Sequence, residues 1–571
     1  MLFAKRAQKS GVRVSFALGL LAASLAQAQT PPDAGRLQQQ IEREQQPVLP
    51  PKLPPAAAIL PPKMRALSGQ TLAVAQFKFA GNTRLTAGQL GAAVAPFLNR
   101  EVDFSQLEAA ASAVASAYRD AGWVVRAYLP AQDIAAGVVT IQVVEAVFGK
   151  VVLDGPAARW VKPAVVLAIF EAQQQRSALL NAEALDRALL LADDLPGVSV
   201  TGSMQEGANG GETDLLVKLG DEPRYVGDIS LDNTGSRSTG ANRINASLSV
   251  NSLLGLGDLF SLGATKTSGS DYARLSQTMS LGSSGLRLGV NVSRLQYKLV
   301  AAEFSALGAR GTADSAGLEA NFPVVRSRTR NLFASFSADS KQFANDSGGA
   351  PVSVYSNTPV SIGLNGNLFD ELGGGGANNA SLTLSHGRIN LNGSPNQTGD
   401  AATVQAAGAY RKWRYAVSRQ QMLGDSLSFS AAWSGQWANK NLDSSEKFYL
   451  GGVYGVRAYP SSEGGGALGQ MLNLELRQRL AGGVNLTAFY DIGHVTVNAS
   501  NQFSGAAALN DHSLKGAGLA LGWQMASGAS VRATWARRIG ANPRPTATGA
   551  DQDGTLVHER VWLSASLPVS F

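Results

Sequence analysis

The sequence predicts two small α+β domains in tandem followed by a large all-β transmembrane barrel of antiparallel strands, and three observations carry that prediction. A strand-helix-helix-strand-strand order occurs twice between Thr71 and Gly220. From Asp221 to Phe571 no helix signal survives, and apolar and polar residues alternate instead. The chain then ends on an alternating strand whose last residue is aromatic. Composition agrees: charged residues make up only 16%, glycine occupies 62 positions, and mean hydropathy is close to zero. Strands that alternate between lipid and lumen hide their apolar content from any averaging window, so a barrel of this kind never reads as hydrophobic. At 571 residues the chain also exceeds one ordinary core.

Taken in order, residues 1–28 read as a secretory signal peptide. Lys5, Arg6, Lys9 and Arg13 precede the apolar run Val14 to Leu25, and Ala26-Gln27-Ala28 supplies small residues at the cleavage site. A retained membrane anchor needs a longer apolar stretch. The segment holds four positive charges and no acidic residue, so its removal takes the formal charge from +7 to +3. A nucleic-acid partner, which the pI of 9.4 would suggest, thereby loses its basis. Cysteine is absent, which excludes disulfides and thiolate metal sites.

Residues 29–46 contain Asp33 to Gln46, all strong helix formers beyond Gly35, with Leu37 and Ile41 four apart. The reading is a short, mostly polar helix. Residues 47–70 are proline-rich and form an extended linker, since proline cannot continue a helix. By itself a polar helix on a tether is equally a disordered leader.

The first α+β domain spans 71–146. Val74 to Ala80 is extended, Thr86 caps a helix reaching about Phe97, and a second helix starts at a Ser105 cap with Glu108 completing the capping box. That second helix buries Leu107, Ala111, Val114 and Tyr118, and strands follow at Val124 to Pro130 and Val138 to Val144. The second domain, 147–220, repeats the order: a strand at Lys150 to Leu153, helices near Val161 to Ala172 and from an Asn181 cap to Asp194, then strands at Val198 to Ser203 and Thr213 to Leu219. Composition alone describes two small α+β domains.

Residues 221–571 alternate. Leu286, Leu288, Val290 and Val292 share one face, as do Leu427, Phe429, Ala431 and Trp433, while Ser, Thr, Asn, Arg and Glu475 take the other. A soluble sandwich gives the same period, so alternation does not by itself distinguish lipid outside from core inside. The N-terminal segment and the last strand decide. Val561, Leu563, Ala565, Leu567, Val569 and Phe571 all fall on one face, over the roughly 9–11 residues of a membrane-spanning strand. A soluble edge strand of that character would invite aggregation.

One stretch organises the rest. Residues 448–470 begin Phe448-Tyr449-Leu450-Gly451-Gly452-Val453-Tyr454-Gly455-Val456-Arg457-Ala458-Tyr459-Pro460, and Phe489-Tyr490-Asp491-Ile492-Gly493 follows in a later strand. Alternation through 484–491 puts Asp491 on the polar face with Asn485 and Thr487. These paired motifs resemble those of the two-partner secretion outer-membrane transporters (TpsB), the haemolysin secretion/activation family, in which an inward loop carries Val-Arg-Gly-Tyr or Val-Arg-Ala-Tyr-Pro and a strand carries Phe-x-Asp-x-Gly. Ala458 stands where glycine is frequent. Asp232-Asn233-Thr234-Gly235 and Gly255-Leu256-Gly257-Asp258 resemble the family's first barrel hairpin, and the C-terminal Phe571 resembles the assembly signal of bacterial outer-membrane barrels.

The resemblance implies a plug helix at 29–46, two periplasmic POTRA domains, and a barrel of about 16 strands; fourteen or eighteen strands also fit the 351 residues available. It implies an inward loop carrying Val456, Arg457, Ala458 and Tyr459, a barrel-wall partner at Asp491 and Gly493, and Glu475 as a further lumen residue. It implies, too, a monomer that passes one large β-rich, TpsA-like exoprotein from periplasm to cell surface. Its other partners would be outer-membrane lipid and the barrel assembly machinery. An assembly factor that inserts other barrels and a passive porin are the alternatives. No catalytic, cofactor or metal constellation is legible: His386, His494, His512 and His558 lie far apart, no nucleophile elbow or phosphate loop occurs, and Asp551-Gln552-Asp553-Gly554 reads as a turn because the downstream acidic ligand of a calcium loop is missing.

Overall fold

The computed structural model describes residues 31–44 and 71–571, apart from 131, 133, 135, 136, 210, 462 and 507. The expected signal peptide, 1–28, and the expected proline-rich linker, 47–70, lie outside the described residues.

Two α+β units precede the barrel. In the first, strand Gln76–Ala80 runs parallel to Val138–Glu145, which pairs antiparallel with Val125–Tyr128; Thr71–Val74 pairs separately with Arg100–Asp103. Helices Ala87–Val94 and Phe104–Asp120 cover the sheet, burying Leu90, Val94, Leu107, Val114 and Tyr118. Thr86 closes the expected cap with Gln89. The second helix begins earlier than the Ser105 cap allows. Asp103 is the cap, accepting from the Gln106 N–H at 2.8 Å while the Gln106 side chain accepts from the Asp103 N–H at 3.1 Å. A carboxylate two positions upstream reaches the open N–H groups and takes the Ser105 hydroxyl as well, at 2.6 Å.

The second unit repeats this topology. Val147–Leu153 runs parallel to Glu212–Asp221, which pairs antiparallel with Val198–Glu206, and helices Pro163–Gln173 and Ala182–Asp193 pack above them. Asn181 caps the latter helix. This unit is docked on the turns of the barrel. Arg326 grips Asp194 through two bonds of 2.8 Å, Arg187 donates to the Pro323 carbonyl at 2.7 Å, and the Ser252 hydroxyl donates to the Trp160 carbonyl at 2.9 Å.

From Tyr225 to Ser570 a single antiparallel sheet closes on itself. It contains seventeen strand segments, and two of them, Ala350–Asn357 and Val360–Asp370, form one strand because both pair with Arg330–Ser347. Pro359, which has no N–H to donate, marks the interruption. The barrel therefore has sixteen strands. Closure joins Glu559–Ser570 to Tyr225–Asp232, with Phe571 stacked on Tyr225 at 5.2 Å.

The strand Leu286–Lys298 shows how sequence sets the wall. Leu288, Val290 and Val292 point outward and are exposed, whereas Gly289, Asn291 and Ser293 face the lumen. Beyond Val292 the polarity inverts: Arg294, Gln296 and Lys298 point outward while Leu295 and Tyr297 are buried. Outside the bilayer the outer surface meets water, and the inner one packs into a core with Phe343, Tyr355, Ile389 and Tyr410.

The N-terminal helix, Ala34–Glu44, lies in this lumen. Its mostly polar sequence conceals a narrow apolar stripe, since Ala34, Leu37 and Ile41 are buried in the same upper core. Its polar side is held by Lys341 on Glu42 at 2.8 Å and by Arg243 on Glu44. Further bonds run from Gln39 to the Lys447 carbonyl and from Arg43 to the Tyr449 carbonyl, both at 2.9 Å, and Ser444 donates to Asp33.

The inward loop and its lumen anchor

The loop between strands Leu427–Ala438 and Leu468–Arg479 folds back into the lumen. Backbone bonds hold its irregular path: Val456 N–H to the Leu450 carbonyl at 2.7 Å, Tyr459 N–H to the Val456 carbonyl at 3.0 Å, and Gly452 N–H to the Tyr459 carbonyl at 3.0 Å. At Gly451 a side chain would strike the Pro460 carbonyl, so the two arms of the loop touch only because that position carries none.

Arg457 sits at the tip and is buried, as is Asp491. Nε donates to Asp491 Oδ2 at 2.8 Å and Nη2 to Oδ1 at 2.6 Å, a fork-on-carboxylate pair. The Arg457 backbone N–H adds a third bond to Oδ2 at 3.1 Å, and Asn473 a fourth to Oδ1 at 2.8 Å. Asp491 thus has its acceptor capacity filled. The remaining guanidinium nitrogen, Nη1, donates to Glu475 Oε1 at 2.7 Å, and Cζ lies 3.5 Å from the centre of the Phe489 ring. Two carboxylates and a ring face enclose one cation. This arrangement gives each of the three guanidinium nitrogens an acceptor, for a charge whose burial is otherwise costly.

The neighbouring motif residues are packing elements. Val456, Ala458 and Tyr459 are fully buried. Ala458 is not among the non-glycine residues with positive φ, so the loop takes alanine there without strain. Its methyl group meets Gly516 in the strand Asp511–Gln524, where any side chain would collide with it at 2.7 Å. Gly493 likewise leaves room for Leu450, which a Cβ would approach to 2.6 Å. Phe571 lies remote from this centre, at the barrel seam.

Five contributors lie outside the residues singled out from sequence as site residues: Asn473, Phe489, Gly516, Arg538 and Trp562. Alternation from Asp491 would have found Phe489 and, across the register, Asn473. Trp562, which donates to the Arg457 carbonyl at 2.8 Å, lies 105 positions away, and no local pattern points to it. Among the described residues no group of three or more metal-ligating side chains occurs.

Fold and site together define an outer-membrane transport barrel with POTRA-type units on its periplasmic side and an arginine-anchored loop in its lumen. The family model for haemolysin secretion/activation proteins ShlB/FhaC/HecB matches residues 211–525, and the ShlB-type POTRA model matches residues 72–146. The chain belongs to the haemolysin secretion/activation family, the outer-membrane transporters of two-partner secretion. It is 24% identical over 557 residues to the heme/hemopexin transporter protein HuxB of Haemophilus influenzae strain 86-028NP, covering 94% of this chain and 96% of the relative. The outer membrane transporter CdiB of Dickeya dadantii is 24% identical over 482 residues, covering 82% of each. Among solved structures, CdiB from Escherichia coli superposes with a TM-score of 0.67 at 20% identity, covering 90% of this chain and 93% of that one; CdiB from Acinetobacter baumannii gives 0.60 at 16%, covering 98% and 97%.

Proposed function

We propose that this chain acts as a monomer that captures one unfolded β-rich exoprotein on its POTRA-type units and threads it through the lumen, with Arg457 and Asp491 holding the inward loop that shapes the path and the helix Ala34–Glu44 acting as a plug. The observation that carries this reading is the pairing of a closed barrel, its lumen occupied by a helix and an inward loop, with folded units docked beneath it. Sheet edges such as Val198–Glu206 and Val125–Tyr128 offer unpaired backbone groups to an extended client. Folding of the client outside makes passage directional, and no catalytic step is required. Phe571 on the last strand serves as the signal read by the barrel assembly machinery, and the exposed apolar belt is the lipid contact.

The test begins with the neighbouring reading frame, where a large repetitive secreted protein is expected, and continues with co-expression of that protein and this chain. Surface delivery of that protein is expected only with the transporter present, while unrelated barrels assemble normally without it. Undiminished delivery in its absence, or a general loss of barrels, would overturn the reading in favour of an assembly factor.

A further inference from the structure

The loop 540–558, between strands Ser530–Arg538 and Glu559–Ser570, contains the Asp551-Gln552-Asp553-Gly554 stretch. A turn accounts for its shape: Gly554 N–H donates to the Asp551 carbonyl at 2.9 Å and Asp551 N–H to the Thr555 carbonyl at 2.8 Å. Its carboxylates are directed at arginines. Asp551, 1% exposed, pairs with Arg538 and with Arg560 at 3.0 Å, and Asp553 meets Arg560 at 3.1 Å.

Arg538 faces the inward loop. Its guanidinium lies 4.5 Å from the centre of the Tyr459 ring, and its Nε donates to the Ala458 carbonyl at 3.4 Å. From the other side Glu463, on the returning arm of the inward loop, accepts from the Gln552 N–H at 2.9 Å and from Asn542 at 3.1 Å. Asn542 also donates to Asp551 at 2.8 Å. The chain of contacts closes on itself, running from Tyr459 through Arg538, Asp551 and Asn542 to Glu463 and back into the same loop. Arg237 of the first outer loop adds a bond to the Asp553 carbonyl at 2.7 Å.

We infer that the outer loop 540–558 is a latch on the inward loop, with Asp551 a positioning residue that acts through Arg538 on Tyr459, and Glu463 the catch on the opposite arm. The Arg457–Asp491 pair fixes the tip to the wall below; the latch fixes its flank from the cell-surface side. Freeing the latch lets the tip leave its seat while the barrel wall stays intact. Arginine suits the role because its planar group stacks on a ring and bonds a carboxylate at once, which lysine does not do.

Latch and transport separate experimentally, because the latch is read without any client. The chain has no cysteine, so Val456→Cys, at a fully buried position of the loop, serves as a reporter in the full-length protein reconstituted in liposomes. Ala313→Cys, fully buried in the upper core, serves as the control. Asp551→Asn is expected to raise the maleimide labelling rate at Val456→Cys by about tenfold or more and to leave Ala313→Cys unchanged. Asp551→Asn should add nothing in an Arg538→Gln background, and Asp551→Glu should restore most of the protection. Equal acceleration at both reporters, no acceleration at Val456→Cys, or full additivity with Arg538→Gln would each overturn the inference. Should Asp551→Asn leave no folded barrel, Arg538→Gln and Asn542→Ala carry the same comparison. Because exoprotein is absent, a failed latch leaves the transport reading standing, and failed secretion leaves the latch result intact.

Discussion

Arg457 illustrates how much one side chain is asked to do. It donates a fork of two bonds to one carboxylate and a single bond to another, lies over a ring face, and adds a bond from its own backbone N–H to the first carboxylate. Removing one partner of a buried pair costs roughly 3–5 kcal/mol because the other charge stays behind. Arg457→Ala or Asp491→Ala should therefore cut exoprotein secretion at least tenfold while the barrel still inserts, as read by its shift on unheated gels. A charge swap is expected to fail. Asp491 also receives Asn473 and the Arg457 N–H, so an arginine placed there meets two donors instead of acceptors. Secretion by the swap above that of the worse single variant would show that only charge complementarity matters. Legibility was uneven at this scale. Alternation aimed Asp491 at the lumen and the motif supplied Arg457, but Trp562 and Arg538 come from strands that meet the loop only through barrel closure. Distances of this kind in sequence leave no periodic trace.

At the scale of elements, Glu145 closes the first α+β unit. It accepts from the Thr83 and Arg84 N–H groups at 2.7 and 2.9 Å, from the Thr83 hydroxyl, and from the buried Tyr118 hydroxyl at 2.7 Å. Partial burial opposes its ionisation, yet these donors prevail and hold the carboxyl below the usual range. Burial, followed by the facing carboxylate, pushes the Tyr118 phenol up to about 12. Because the folded state depresses the Glu145 carboxyl, its stabilisation is complete above the unfolded value of about 4.3 and is lost as pH falls through the folded one. Glu145→Gln should lower the Tm of a 72–222 fragment at pH 7, with the gap to wild type narrowing below about pH 4; a gap independent of pH would remove the carboxylate from the account. The N-terminal helix yields a second expectation. Deleting 33–62 should raise single-channel conductance in planar bilayers, and an unchanged conductance would count against a plug. Sequence gave the length of this helix to within a few residues but concealed its seat. Two apolar residues four apart look negligible until Phe343 and Tyr355 surround them.

For the whole molecule, the alternating strands and the repeated α+β topology follow from periods already visible in the chain, because lipid outside and water inside impose a two-residue rule on the strands; the count of sixteen comes from the resemblance, since the length alone also fits fourteen or eighteen. What the rule could not convey is where it stops. Beyond Val292 the wall rises out of the bilayer and reverses its polarity, so the alternation continues with its meaning exchanged. The last residue extends the closing seam. Phe571 bonds Tyr225 through both backbone groups at 3.0 Å and stacks on its ring. Its deletion should sharply reduce barrel recovered from the outer membrane, whereas Phe571→Tyr, which keeps the ring, should not; equal recovery for the deletion would place the seam's stability elsewhere.

The position of the N-terminal helix also ties the two ends of the described chain to one another. Its partners come from Arg243, Lys341 and the carbonyls of Lys447 and Tyr449, and the loop bearing those carbonyls is fixed by Asp491 and Trp562. The docking site is therefore complete only when the closing strand is in register. Among the described elements, the first in the chain thus takes a seat that the last strand helps to build.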